Sequence, residues 1–227
     1  STAIIGIEKM CDYYLRGQDG WIETNKDGKR KELAHKRFRH IEPKNGHNIF
    51  LTIDQRIQSS AEKVIENLVE DFGPESISII VSIPKDGSIL SMANYPSFNL
   101  NKFNNTKLNP ISHQKNRSIT DVYEPGSTFK IVSSAAVLNE KIVKVSDIFD
   151  TSMTHVQYKN YNIEMPKDHK EYSQLSMKDI VVKSSNKGAA QFGMKLGEDL
   201  LYDYASSFGF GEITKLGLPG EVSGKLY

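Results

Sequence analysis

The sequence predicts an α+β fold, with one antiparallel hairpin, helices on either side of it in sequence, and an extended arm in front. Three observations carry this. An Ile- and Val-rich run at 76–83 meets a turn signal, Lys85-Asp86-Gly87, and returns as 88–93. Apolar residues recur at helical spacing over about 55–70 and again in four later segments. Residues 1–47 show little such recurrence, so this part buries little by itself.

Composition sets the class. The 227 residues are 38% hydrophobic and 25% charged, a globular balance. The net charge is +1, which excludes a chain held on nucleic acid or anionic lipid by its overall charge. Cys11 is the one cysteine, so an internal disulfide and a cysteine-based zinc site are both excluded. The richest apolar stretch, 77–83, is far shorter than a membrane span, and no signal-peptide pattern opens the chain.

Taken in order, the arm contains a basic run at 26–40, with seven Lys/Arg against two acids, and a turn-rich stretch at 42–46. The basic run reads as a solvated connection rather than a grip on lipid or nucleic acid. Trp21 suggests packing within the arm, and Cys11 a small packing residue. The run 49–53 is β-prone. Asp54 caps a helix over about 55–70, with Ile57, Ala61, Val64, Ile65 and Leu68 on one stripe, ended by residues 71–74. After the hairpin, 94–118 is Asn-rich and aperiodic, and is expected to be a long surface loop. Glu124-Pro125-Gly126 breaks the chain before an apolar helix at 127–138. Residues 141–172 look irregular, and helices follow at 177–182, 184–196 and 200–208.

The chemistry lies in Ser127-Thr128-Phe129-Lys130. Positions i and i+3 share a helix face, so the amine reaches the hydroxyl. Serine needs a base to become a nucleophile, and a desolvated lysine can serve. The S-x-x-K pattern occurs five times, at Ser60, Ser82, Ser112, Ser127 and Ser184. Only Ser127 follows a Pro-Gly breaker and opens an apolar helix. Ser184-Ser185-Asn186 starts another helix; alone it reads as an N-cap, and beside Ser127 as a second wall of a site. Ser184 could relay a proton and Asn186 hold an amide. Ser185, Glu124 and Thr128, which adjoin these residues, complete the candidate set as substrate-binding positions.

Together these segments resemble the penicillin-binding transpeptidases, specifically class B. The resemblance rests on Glu124–Lys130 followed by Lys183–Asn186, and on Leu51-Thr52-Ile53-Asp54 with Gln58. It is extended by Asn116-Arg117, Phe208-Gly209-Phe210-Gly211 and Leu218-Pro219-Gly220-Glu221, and by Gly6-Ile7-Glu8 with Leu15 and Gly17. Lys167-Asp168-His169 looks most like the division-specific branch, the penicillin-binding protein 3 type. The resemblance implies part of a penicillin-binding transpeptidase or serine β-lactamase-like domain. Residues 1–47 would be the end of an N-terminal pedestal and its linker, and 48–227 the first part of the catalytic domain. It implies a Ser127 acyl-enzyme formed on peptidoglycan stem peptides ending in D-Ala-D-Ala, or on a β-lactam. Lys130 would be the base, Ser184 the relay and Asn186 a substrate holder. No cofactor is expected. Partners would be cell-wall and division proteins met through the arm, on the periplasmic face of a bacterial inner membrane.

The family's third motif, Lys-Thr/Ser-Gly, is absent; the K-x-G triplets here, at Lys26, Lys44, Lys85, Lys195 and Lys215, all carry another middle residue. The chain is therefore expected to be an internal part of a membrane-anchored protein, with three of five sheet strands and one oxyanion donor lying beyond Tyr227. Such a piece is expected to acylate poorly. A serine β-lactamase or β-lactam sensor, and a non-catalytic docking module, are the alternatives. No E-x-x-L-N segment supports the hydrolase. Tyr158-Lys159-Asn160 is read as a coincidental match, and the six histidines show no metal-ligand spacing.

Overall fold

The computed structural model describes residues 5–26, 28–29 and 32–227, the side chains of 24–26 and 32–38 excepted. The chain divides into two compact units, 1–121 with 215–221, and 122–214 with 222–227. Each has its own apolar core.

The first unit opens with two short helices, α1 (Gly6–Met10) and α2 (Asp12–Leu15), flanking the buried Cys11. The arm is then more ordered than expected. Strands β1 (Trp21–Lys26) and β2 (Glu32–Ile41) pair as an antiparallel hairpin, and Gln18 and Lys44 exchange backbone hydrogen bonds of 2.8 and 2.9 Å. Such pairing is made by the backbone, so it leaves no apolar periodicity to read. Trp21 lies opposite Ile41 and stays 47% exposed, so it is not the packing anchor expected. Most side chains of the basic run lie outside the described residues.

The β-prone run at 49–53 forms no strand. Two bonds tie it to the start of the later hairpin's second strand: Thr52 Oγ1 donates to the Ile89 carbonyl and Asp54 N to the Leu90 carbonyl. Ile49 is partly buried, whereas Phe50, Leu51 and Ile53 remain exposed. The Asp54 cap is present. Its Oδ1 accepts from Arg56 N at 2.8 Å and Ile57 N at 3.2 Å, satisfying two of the free donors that begin α3 (Gln55–Phe72). Strands β3 (Ile77–Ser82) and β4 (Ile89–Tyr95) pair with Ile79 opposite Ala93. Ala61 and Ile65 of α3 bury against Ala93, Ile77, Ile79 and Tyr95. Gln58 pins helix to strand by accepting from Ser91 Oγ and Met92 N, both at 2.9 Å.

The segment 94–118 is not structureless. It carries 3-10 turns at Leu100–Lys102 and Ile111–Gln114 and leads into α4 (Arg117–Thr120). Buried Asn109 orders it: Oδ1 accepts from Asn99 N at 3.0 Å and Nδ2 donates to the Lys102 carbonyl at 2.7 Å. Asparagine side chains supply order here that no hydrophobic period reports.

In the second unit a 3-10 turn, Gly126–Phe129, runs directly into α5 (Lys130–Asn139). Residues 141–172, expected to be irregular, hold β5 (Ile148–Asp150), β6 (His155–Tyr158) and β7 (Tyr161–Glu164). Strands of three or four residues are too short to display an alternation. Tyr158-Lys159-Asn160 falls on the β6–β7 turn, where Lys159 has φ 51°. Strand β5 pairs with β8 (Gln174–Ser176), and helices α6 (Met177–Val182), α7 (Asn186–Leu196) and α8 (Glu198–Ser207) follow. The core joins Val137 of α5, Phe149, Leu175, Ile180 and the fully buried Phe192. Phe149 and Phe192 meet edge to face, with centroids 5.2 Å apart. Among the described residues no helix is long and apolar enough to cross a membrane.

Candidate active site

Glu124-Pro125-Gly126 ends the preceding segment, and Gly126 turns the chain at φ 60°, a backbone angle that suits glycine. Thr128 Oγ1 closes the turn by donating to the Pro125 carbonyl at 2.9 Å. Ser127 therefore sits on a 3-10 turn rather than on the first turn of an α-helix. This favours the chemistry, because residues i and i+3 eclipse in a 3-10 helix. Lys130 Nζ stands 3.3 Å from Ser127 Oγ. Phe129 packs edge to face on Phe210, at 5.2 Å between centroids, and steadies the turn.

The second wall is built by the end of α6. Ser185 N donates to the Ile180 carbonyl at 2.9 Å and Ser184 N to the Val181 carbonyl at 3.2 Å. This bond pair is the Schellman ending, which requires a left-handed residue and usually takes glycine. Here that residue is Ser184, with φ 54°. The turn aims both its carbonyl (2.7 Å) and its hydroxyl (2.9 Å) at Lys130 Nζ. Asn186, the first residue of α7, adds Oδ1 at 2.7 Å from the same nitrogen. The Ser184 and Ser127 hydroxyl oxygens are 3.2 Å apart.

Lys130 Nζ thus meets four oxygens. An ammonium has three protons to donate, and a neutral amine two protons and a lone pair. The Ser184 carbonyl and Asn186 Oδ1 can only accept. With those two served, a neutral Lys130 directs its lone pair toward the serine hydroxyls. Burial pulls the Lys130 pKa down from its usual 10.5, against an opposing pull from the Asp168 charge. Geometry and charge both fit a general base beside a nucleophile.

A carboxylate absent from the expected set lies behind this wall. Asp168 Oδ2 accepts from Ser185 Oγ at 2.6 Å, and Oδ1 accepts from Asn186 N and from Lys187 N. The preceding Lys167 carbonyl accepts from Asn186 Nδ2 at 2.9 Å. The sequence signal for it is Lys167-Asp168-His169, part of the family resemblance.

Of the seven expected residues, the structure gathers Ser127, Lys130, Ser184 and Asn186 around one amine. Ser185, expected to bind substrate, is 1% exposed, and its hydroxyl accepts from Gly188 N and donates to Asp168. Thr128 directs its hydroxyl back into its own turn. Glu124 is exposed ahead of that turn. Among the described residues no three His, Cys, Asp or Glu converge as a metal site.

The chain is 34% identical to peptidoglycan D,D-transpeptidase FtsI of Escherichia coli over 224 residues, 99% of this chain and 36% of that protein. It is 30% identical to stage V sporulation protein D of Bacillus subtilis over 229 residues, 100% of this chain and 35% of that protein. It therefore spans about a third of the length of these relatives. Among solved structures it superposes on a peptidoglycan synthetase from Bifidobacterium adolescentis with TM-score 0.80 and 25% identity, over 100% of this chain and 40% of that one. Penicillin binding protein 2X from Streptococcus thermophilus shares the fold, with TM-score 0.79 and 23% identity over 97% of this chain and 32% of that one. Residues 77–227 match the family model for the penicillin binding protein transpeptidase domain, and the chain belongs to that family.

Proposed function

We propose that this chain is part of a serine-type peptidoglycan D,D-transpeptidase of septal wall synthesis, with Ser127 as nucleophile and Lys130 as base. The observation that carries the reading is the Lys130 amine, held between the Ser127 hydroxyl and the Ser184–Asn186 wall. Relatives named as D,D-transpeptidases support it. Lys130 Nζ takes the Ser127 proton as Oγ bonds to the carbonyl carbon of the penultimate D-Ala. The peptide C–N bond then breaks. The proton passes through Ser184 to the departing amine of the terminal D-Ala, leaving an acyl-enzyme. An amine from a second stem peptide attacks the ester, returns a proton to the base and frees Ser127. A β-lactam meets the same attack, but its broken amide is part of a ring, so the leaving group stays attached. The Ser127 N–H supplies one oxyanion donor. The division assignment rests on Lys167-Asp168-His169 and on the FtsI relatives. With it come a periplasm-facing, membrane-anchored protein, and division partners met through residues 1–47.

The test is intact mass after incubation with excess penicillin, run on this chain, on the whole protein and on Ser127→Ala. The whole protein gains one drug mass, and Ser127→Ala gains none. The 227-residue chain, which holds no Lys-Thr/Ser-Gly motif, reacts more slowly than the whole protein, by about 10²-fold or more if an oxyanion donor lies in the remainder. A whole protein without an adduct overturns the reading. Sustained turnover of nitrocefin would identify a hydrolase instead.

A further inference from the structure

We propose that Asp168 is a positioning residue of this site: its carboxylate ties the segment after β7 to the first turn of α7, and so sets where Ser184 and Asn186 stand around Lys130. The proposal rests on the transpeptidase reading above.

Both oxygens of Asp168 are committed to residues 185–187, between and beside the two that grip the amine. A carboxylate at a helix N-terminus is favourably placed, since the free N–H groups and the positive end of the helix dipole face it. Ser185 links the two sides. Its hydroxyl accepts from Gly188 N at 3.0 Å as the N-cap of α7, which leaves its proton for Asp168. Lys167 settles the orientation of Asn186. Its carbonyl can only accept, so the amide nitrogen must point to it and Oδ1 must point to Lys130. The segment is anchored upstream, where buried Met165 donates its N–H to the Thr154 carbonyl at 2.8 Å, beside the β6–β7 hairpin. The S-x-N motif contains no acid, and a loop 17–19 residues earlier brings one to it.

The experiment measures the acylation rate constant k2 and the non-covalent constant K for penicillin in the whole protein, for wild type, Asp168→Asn, Asp168→Ala and Ser185→Ala. In Asp168→Asn, k2 falls by about 10- to 100-fold, the loss expected when reacting groups shift by an ångström or less, with K little changed. Long incubation still acylates it to one drug per chain, which shows an intact fold. Ser185→Ala, which removes one of the carboxylate's partners, falls less, and adding it to Asp168→Asn causes little further loss. Asp168→Asn reacting at the wild-type k2, or losing only the fraction of molecules able to react, overturns the proposal. A wild-type protein that forms no adduct overturns the functional reading, and this proposal falls with it.

Discussion

The Lys130 amine is surrounded by more oxygens than it has protons, and two of those oxygens belong to Ser184, a residue in an unfavourable conformation. A side chain at φ 54° costs about 1 kcal/mol relative to glycine. There the Ser184 hydroxyl stands 2.9 Å from Lys130 Nζ and 3.2 Å from Ser127 Oγ, which on the proposed transpeptidase reading is the proton-relay position. Stability and chemistry therefore pull apart at this residue. Ser184→Gly is expected to raise unfolding stability by about 1 kcal/mol in chemical denaturation. It should also lower the acylation rate of the whole protein by about 10²-fold or more, as loss of a proton-transfer group does. Reduced stability in Ser184→Gly would show that the turn is not strained.

At the scale of elements, the site depends on how closely α6 and α7 approach. A Cβ on Gly188 would lie 2.4, 2.6 and 2.7 Å from three carbons of Ile180, a residue 1% exposed. Only glycine lets the first turn of α7 sit against α6. Gly188→Ala is expected to destabilise by about 1–3 kcal/mol, the usual result of overpacking. It should slow acylation as well, because Asn186 rides on that turn. A Gly188→Ala protein with unchanged melting temperature and rate would show that the helices can part freely. These two helices were legible in the sequence at 177–182 and 184–196, since each combines apolar spacing with a capping residue. The strands β5, β6 and β7 were not, because three or four residues carry no measurable period. The turns within 94–118 escaped for another reason. They are ordered by the side chains of Asn99, Asn109 and Gln114, which read as loop composition.

At the scale of the whole molecule, each unit is organised around one apolar centre. In the second unit that centre is Phe192, which has no exposed surface and meets Phe149 edge to face. Truncating it leaves a cavity that neighbouring side chains fill only in part. Phe192→Ala is expected to cost roughly 3–5 kcal/mol, measured as a shift in denaturation midpoint. A loss below about 1 kcal/mol would mean the centre collapses around the gap. In the first unit, Ala61, Ile65 and Ala93 show why the helix stripe and the hairpin could be read together. Period 3.6 on α3 and period 2 on β4 place their small apolar residues on facing surfaces.

The sequence by itself determined the local order: the Asp54-capped helix, the hairpin at Lys85-Asp86-Gly87, and the Ser127 and Lys130 side chains three residues apart behind a Pro-Gly breaker. These follow from short-range rules of spacing, capping and turn chemistry. Only the tertiary structure decided that Ser127 and Ser184, 57 residues apart, stand with their hydroxyl oxygens 3.2 Å from each other. It also turned Ser185 inward, put Ser184 in a left-handed turn and brought Asp168 to the start of α7. Each of those outcomes depends on which polar groups find partners once the chain has closed on its core.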